Sequence, residues 1–359
     1  MVASHLVPVN FDTKILGFGF RKDRNANKAA KELGASTLDY TEAALIYYQQ
    51  GLSDEEVAAR TDVTLKAANV TGQSGSEVSE QLTAVWNGYN LANKAAKEGL
   101  GIYEEYIDKL AAVAATTASD LEEISTGMSK VASAANLMGV DIDQLNAQLA
   151  TIVSVTRQAP ESVGVALKTI YARMGDIEAG LSEDLSLGTY TAQMKEMGVN
   201  VIDAKGHLRD MGEVIEEIGN KWGSYSREQQ VALSQIMAGT RQYNNLLSLF
   251  DNWDMYEDAM EVSKNSLGTL SEQQAIYLDS VQAHIEKLQT EAERTYDILF
   301  DEDMAKGFFS IVTSGLGLIN SYLKGIGSGW KSLSSLALTG AQVFSTQLGR
   351  GIEKRIENK

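Results

Sequence analysis

The sequence predicts a mainly α fold: a multi-helix bundle with one small β-hairpin and a C-terminal apolar helical segment. Three observations carry this. Proline occurs only twice in 359 residues, at Pro8 and Pro160, so long stretches contain nothing that forces a helix to stop. Apolar residues step by threes and fours through Leu121, Ile124, Met128, Val131, Ala135 and Met138, then Ile142, Leu145, Leu149 and Ile152, then Val163, Leu167, Ile170 and Met174. Each set draws one stripe along a helix. Helix starts are written as capping boxes, a Ser or Asp followed three residues later by Glu or Gln, at Ser53/Glu56, Ser119/Glu122, Asp141/Gln144, Ser226/Gln229 and Ser271/Gln274.

Taken in order, residues 1–22 are mixed, and Leu6-Val7-Pro8-Val9 and Phe18-Gly19-Phe20 suggest extended segments. From about residue 40 helix signals dominate. Short connections at Gly139-Val140 and Gln158-Ala159 suit helices that fold back on their neighbours, and Pro160 suits a first helical position. Gly139 and Gly198 read as glycine helix ends. The stretch 199–210, VNVIDAKGHLRD, reads as the hairpin: Val199 and Val201 alternate with polar positions, and Asp203 to Gly206 is turn chemistry. In MAGTRQYNNLLSLF (237–250) a run of polar residues interrupts a helical pattern. Gly239 is expected to stop one helix, and Thr240 to N-cap the next, which turns Tyr243, Leu246, Leu247 and Phe250 toward the core. Residues 270–300 read as one long helix carrying Ile276, Leu278, Val281, Ile285, Leu288, Ala292 and Tyr296. At 301–306 the composition shifts toward Gly, Ser and aliphatics. The expected organisation is a segment 1–39, a helical domain 40–303 and a weakly basic, apolar helical tail 304–359.

Charge excludes one class of function. The net charge is −17. Residues 304–359 hold seven Lys/Arg and two Glu, or +5, so residues 1–303 carry −17 − 5 = −22. A body this acidic repels a phosphate backbone, and no sequence-specific nucleic-acid binding is expected. Cysteine is absent and histidine occurs only as His5, His207 and His284, which disfavours thiolate or His-rich metal sites. The N-terminus does not read as a signal peptide.

The motifs of catalysis and cofactor binding are missing. Gly17-Phe18-Gly19 and the glycines at 325, 327 and 329 lack the third glycine and the flanking strand of a dinucleotide or phosphate loop. Asp141-Ile142-Asp143 begins like a calcium loop but places Leu145 and Asn146 where a ligand and a glycine belong. Asp251, Asp254 and Asp258 share a helix face, which reads as a solvated acidic face rather than a metal site. The reading is of a non-enzyme without cofactors or metals.

GVALKTIYARM (164–174), MKEMGVNVIDAKGHLRDMGEVIEEIGNKW (194–222) and SREQQVALSQIMAGTRQYNNLLSLFDNWD (226–254), in that order, resemble the core of phage tail tape measure proteins, minor tail proteins of long-tailed phages and prophages. The resemblance covers roughly residues 40–325. Its motif residues here are Gly164, Lys168, Arg173, Gly198, Asp203, Gly206, Arg209, Trp222, Ala238, Gly239, Thr240, Arg241, Gln242, Asn245 and Leu247. It implies a structural role inside the growing tail tube, in tube assembly, length determination and genome ejection. The implied partners are the tail tube protein, tail tip or baseplate proteins, tail assembly chaperones, further copies of the chain and, at ejection, the host membrane. The implied locations are the virion tail lumen and, during assembly, the host cytoplasm. Members are usually much longer, so the chain reads as a fragment or a short member. Two rival readings are a membrane-active element at 307–349, where glycines and aliphatics lie between lysines, and a tail-associated cell-wall hydrolase.

Overall fold

The computed structural model describes residues 26–280 and Thr290. The chain divides into two compact units, residues 1–287 and 288–359, and the helices below belong to the first. They are α1 (26–33), α2 (Thr37–Gln49), α3 (Asp54–Thr71), α4 (Gly75–Gly88), α5 (Leu91–Glu98), α6 (Ile102–Thr116), α7 (Leu121–Leu137), α8 (Ile142–Thr156), α9 (Pro160–Glu178), α10 (Leu187–Glu196), α11 (Met211–Lys221), α12 (Arg227–Phe250), α13 (Trp253–Lys264) and α14 (Thr269–Leu278). A single 3-10 turn, Trp222–Ser224, follows α11. The expected helical bundle is what the chain forms.

α8 is the axis of the core. From Ile142 to Ser154 all but Asp143 are buried, and α6, α7, α9, α12 and α13 pack around it. A helix covered on every side is expected to be largely apolar; α8 has Leu145, Leu149 and Ile152 on one side and hydrogen-bonded Gln144, Asn146 and Gln148 on others, while Asn146 Oδ1, Gln148 Nε2, Thr151 Oγ1 and Ser154 Oγ are buried without a partner. Every residue of the three expected apolar stripes is buried. The helices α7 and α9 make the most extensive pairing. Gly127 faces Gly164, and Met138 faces Gly175 at the same offset along the chain, so the two run in the same direction while α8 returns between them.

A second part of the core lies among α2, α3, α4 and α6. Tyr47, Trp86 and Tyr103 pack as a column, with ring centroids 6.0 Å and 5.0 Å apart. α14 seals this end against α3 and α6. Its first amides, on Gly268 and Leu270, donate to the buried Asp108 carboxylate of α6 at 2.8 Å each, so the cap comes from another helix rather than from the adjoining chain.

Several local expectations need correction. Helix begins well before residue 40, in α1 and α2, because Ala-, Lys- and Glu-rich sequence such as 26–33 favours helix even with few apolar residues. α7 is capped by Asp120 with Glu123, not by Ser119 with Glu122; both pairs have the right spacing, and the later one closes the box. Ser271 and Gln274 lie inside α14: Ser271 donates to Glu104 at 2.6 Å and Gln274 to the Leu33 carbonyl at 2.7 Å. Of the long helix expected over 270–300, α14 covers the part up to Leu278, where a turn follows, and Ile276 is 74% exposed instead of buried; Val281, Ile285, Leu288, Ala292 and Tyr296 lie outside the described residues. The boxes at Asp141/Gln144 and Ser226/Gln229 form in full, Ser53 caps α3 through the Glu56 amide, and Pro160 opens α9. At 199–210 there is a turn with one isolated antiparallel bridge, Ile202 with Leu208, and no named strand. The extended segments expected at 1–22, the tail at 304–359 and the membrane-active stretch at 307–349 lie outside the described residues. Among the described residues, no helix is long and apolar enough to cross a membrane.

Buried tyrosines give the fold an alkaline limit. Burial pushes the Tyr47 hydroxyl up to about 12, as it does Tyr40, and pushes Tyr171, Tyr190 and Tyr256 further. In the unfolded chain these groups ionise near 10. Below that pH their contribution is fully present; above it the unfolded state loses protons that the native state keeps, so stability falls with rising pH. Titration should show flat stability up to about pH 10 and a cooperative loss of helix between about pH 10 and 12, coincident with tyrosinate absorbance. Gradual tyrosinate formation with helix intact would contradict it.

Candidate functional site

The residues singled out by motif, Gly164 and Lys168 of α9 apart, fall in three places. The first is the turn after α10. Gly198, at φ 78°, ends that helix, with the Val199 amide returning to the Met194 carbonyl at 2.9 Å. The Asp203 carboxylate then accepts from the amides of His207 and Lys205, at 2.9 and 2.8 Å. These bonds, the His207 amide foremost, hold Asp203 below the usual carboxylate range. Gly206 closes the turn at φ 89°. Arg209 locks the turn to α11: its guanidinium donates to the Asn200 carbonyl at 2.6 Å, to Glu217 at 2.7 Å and to Glu213 at 3.3 Å. The geometry is that of a rigid, exposed knob.

The second place is the α11–α12–α13 junction. Trp222 is buried, donates to Asp251 at 2.7 Å and lies 4.7 Å from the Phe250 ring. Trp253 stacks on Tyr256 at 4.2 Å. Gly219 lies flat against the Trp253 ring, where any side chain would collide. Of the expected acidic face, Asp254 and Asp258 are exposed on α13, with Trp253, Tyr256 and Ala259 facing inward; Asp251 is not part of it, since it precedes α13, caps α12 and accepts from Trp222.

The third place is the break in α12. Gly239 has φ 66° and ψ 175°. That is not the left-handed helical cap expected of a glycine stop; it is the extended positive-φ region that glycine alone tolerates. With ψ extended, Gly239 is itself the capping residue of the second half of α12, and Thr240 is its first helical residue, exposed and without a capping bond. Arg173 of α9 covers the break. Its guanidinium lies against Gly239 and its Nε donates to the Ile236 carbonyl at 3.3 Å, satisfying an acceptor that the break releases. Its ion pair with Asp184, 3.8 Å away, is largely exposed and adds little. On the far side Asn245, buried, accepts from Gln158 at 3.2 Å and donates to Gln242 at 3.1 Å. Arg241 is exposed and forms no ion pair among the described residues. Replacing Arg173 with Met should cost about 1 kcal/mol, the usual net worth of one hydrogen bond, measured by urea unfolding; an unchanged midpoint would show that the Ile236 carbonyl is satisfied some other way.

Gly164 belongs to packing rather than to these places: a side chain there would run into the Gly127 carbonyl of α7. Sequence reasoning missed Gly127, Gly212 and Gly219. Each sits where another group approaches the backbone, and a lone glycine within a helix carries no mark of what touches it.

A cleft of about 410 Å³ is lined by residues including Tyr89, Lys94, Glu105, Tyr106, Lys109 and Asp143. Its cations are engaged: Lys109 pairs with Asp143 at 3.0 Å and Lys94 donates to the Tyr106 hydroxyl at 2.6 Å. None of the motif residues lines it. Among the described residues, no group of three or more His, Cys, Asp or Glu is placed to hold a metal.

No solved structure matches the chain. A family model described as phage-related minor tail protein matches residues 27–239, beginning in α1 and ending at the break in α12. That span is more than half of the 359 residues, and it holds the turn knob, Arg173 and Gly239 in one folded unit: the chain belongs to the phage-related minor tail protein family.

Proposed function

We propose that the chain is a tape measure protein, a structural and non-catalytic component that acts in tail tube assembly and length determination and leaves with the genome at ejection. The observation that carries this reading is the linked motif series from Gly164 to Leu247, laid out in order within a domain of the minor tail family. Its partners on this reading are the tube protein, tip or baseplate proteins, assembly chaperones and further copies of itself.

One unbroken helix of 359 residues would reach roughly 540 Å at 1.5 Å per residue. Residues 26–280 instead break into short helices, of which α12, with 24 residues and a break, is the longest. A folded body of this kind does not measure a tube by its own extent. It suits an assembly or tip-proximal domain better than a whole ruler. The acidic body suits a compartment through which DNA must pass without sticking.

Cryo-electron microscopy of intact tails and of tails lacking residues 40–280 tests this. The expected result is helical density within the lumen at one end of the wild-type tube, and failure to form tubes of defined length in the deletion. Density on the outside of the tube, or normal-length tails without the domain, would overturn it.

A further inference from the structure

Arg60 is the most deeply buried cation among the described residues: it is 1% exposed, and no carboxylate pairs with it. Arginine keeps its charge in proteins, and burying an unpaired charge is costly. Two kinds of compensation are visible. Nη2 donates to the Tyr103 hydroxyl at 2.7 Å. The guanidinium carbon also lies 4.5, 5.5 and 6.0 Å from the ring centroids of Tyr103, Trp86 and Tyr47, so the ring faces offset part of the desolvation. Neither supplies a negative charge, and both leave Arg60 Nε without an acceptor. Trp86 Nε1, on the ring beside it, is likewise buried without an acceptor. The Tyr47 hydroxyl is already committed to Thr64 at 2.6 Å.

Two unsatisfied N–H donors, one of them on a buried cation, therefore belong to neighbouring side chains, the guanidinium carbon lying 5.5 Å from the Trp86 ring centroid. A buried water would satisfy the donors but leave the charge uncompensated. We propose that Arg60 and Trp86 hold a small monovalent anion of chloride size as a structural ligand of the α2–α3–α4–α6 core. The anion accepts from Arg60 Nε and Trp86 Nε1 and neutralises the guanidinium. Since only the folded chain presents this site, free anion stabilises it by mass action.

Thermal unfolding of the full chain in sodium chloride and in sodium gluconate, at equal ionic strength, tests the site. Chloride should raise Tm by about 3 °C or more. Trp86→Phe deletes the donor and also shrinks a fully buried side chain, so its Tm should fall in both salts; the readout is the difference between the two salts within the variant, most of which should be lost. Crystals soaked in bromide should show an anomalous peak beside Arg60. Equal Tm of the wild type in both salts overturns the proposal, and so does an increment that Trp86→Phe retains. If Trp86→Phe does not fold, the bromide peak decides: its absence beside Arg60 overturns the site.

Discussion

Gly164→Ala should destabilise the domain by about 3 kcal/mol, the upper part of the usual range for overpacking, and lower Tm by roughly 6–12 °C. The added carbon would meet the carbonyl oxygen and carbonyl carbon of Gly127, and the Lys130 Cβ. Backbone cannot rotate out of the way as a side chain can. α7 and α9 would have to separate along their whole interface, loosening Met128, Val131, Leu167 and Ile170 together. Gly175→Ala is the internal control. It lies on the same helix, and its added carbon would meet only the Met138 sulfur, at an ordinary 3.6 Å. Helix propensity favours alanine there by about 1 kcal/mol, so this variant should be neutral or more stable. Equal losses in the two variants, read from urea unfolding, would show that helix propensity and not the Gly127 approach governs α9.

The contrast between these glycines shows what was legible in the sequence. The stripes on α7, α8 and α9 announce themselves through period, since burial of one face is a local pattern. The glycine at 198 is legible for a similar reason: it needs positive φ at a helix end and meets nothing distant, and that position follows from its neighbours. Gly127, Gly164, Gly212 and Gly219 are different, because each is fixed by a group distant in sequence: a carbonyl, Gln144 or Trp253. Capping failed for the same reason where a distant residue supplied the acceptor. Asp108 caps α14 from 160 residues away, so the local pair Ser271/Gln274 had no vacancy to fill. At Ser119 and Asp120 both candidates were local, and spacing alone could not choose between them. Arg60 was invisible because α3 has almost no apolar stripe to mark its inner face; an arginine there reads as surface. Of the candidate site, the turn from Gly198 to Arg209 followed from its own residues. The cover that Arg173 gives Gly239 joins residues 66 apart and needed the fold.

Gly239→Ala should cost about 2–3 kcal/mol, from backbone strain alone. The space is available: an added carbon at 239 would sit 3.8 Å or more from the Arg173 guanidinium. The backbone is not, because φ 66° with ψ 175° lies in a region closed to L-residues. Gly239→Val should cost more still, since branching narrows the allowed conformations further. Gly180→Ala separates this from the general cost of positive φ. Gly180 has φ 71° and open space around it, and the Leu181 amide bonds back to the Asp176 carbonyl in the usual left-handed helix end; alanine there should cost about 1 kcal/mol. The alanine variant at 239 also has an escape that the one at 180 lacks. All other residues of α12 are helical, so converting residue 239 to helical angles would fuse the two halves into one straight rod. That would pull Asn245 away from Gln158 and swing Leu246, Leu249 and Phe250 out of the core, exchanging backbone strain for lost burial. Either route destabilises, and hydrogen exchange tells them apart: strain leaves protection of the 246–250 amides high, whereas straightening lowers it. A Gly239→Ala variant that unfolds at the wild-type urea concentration would show that α12 is not broken at this residue.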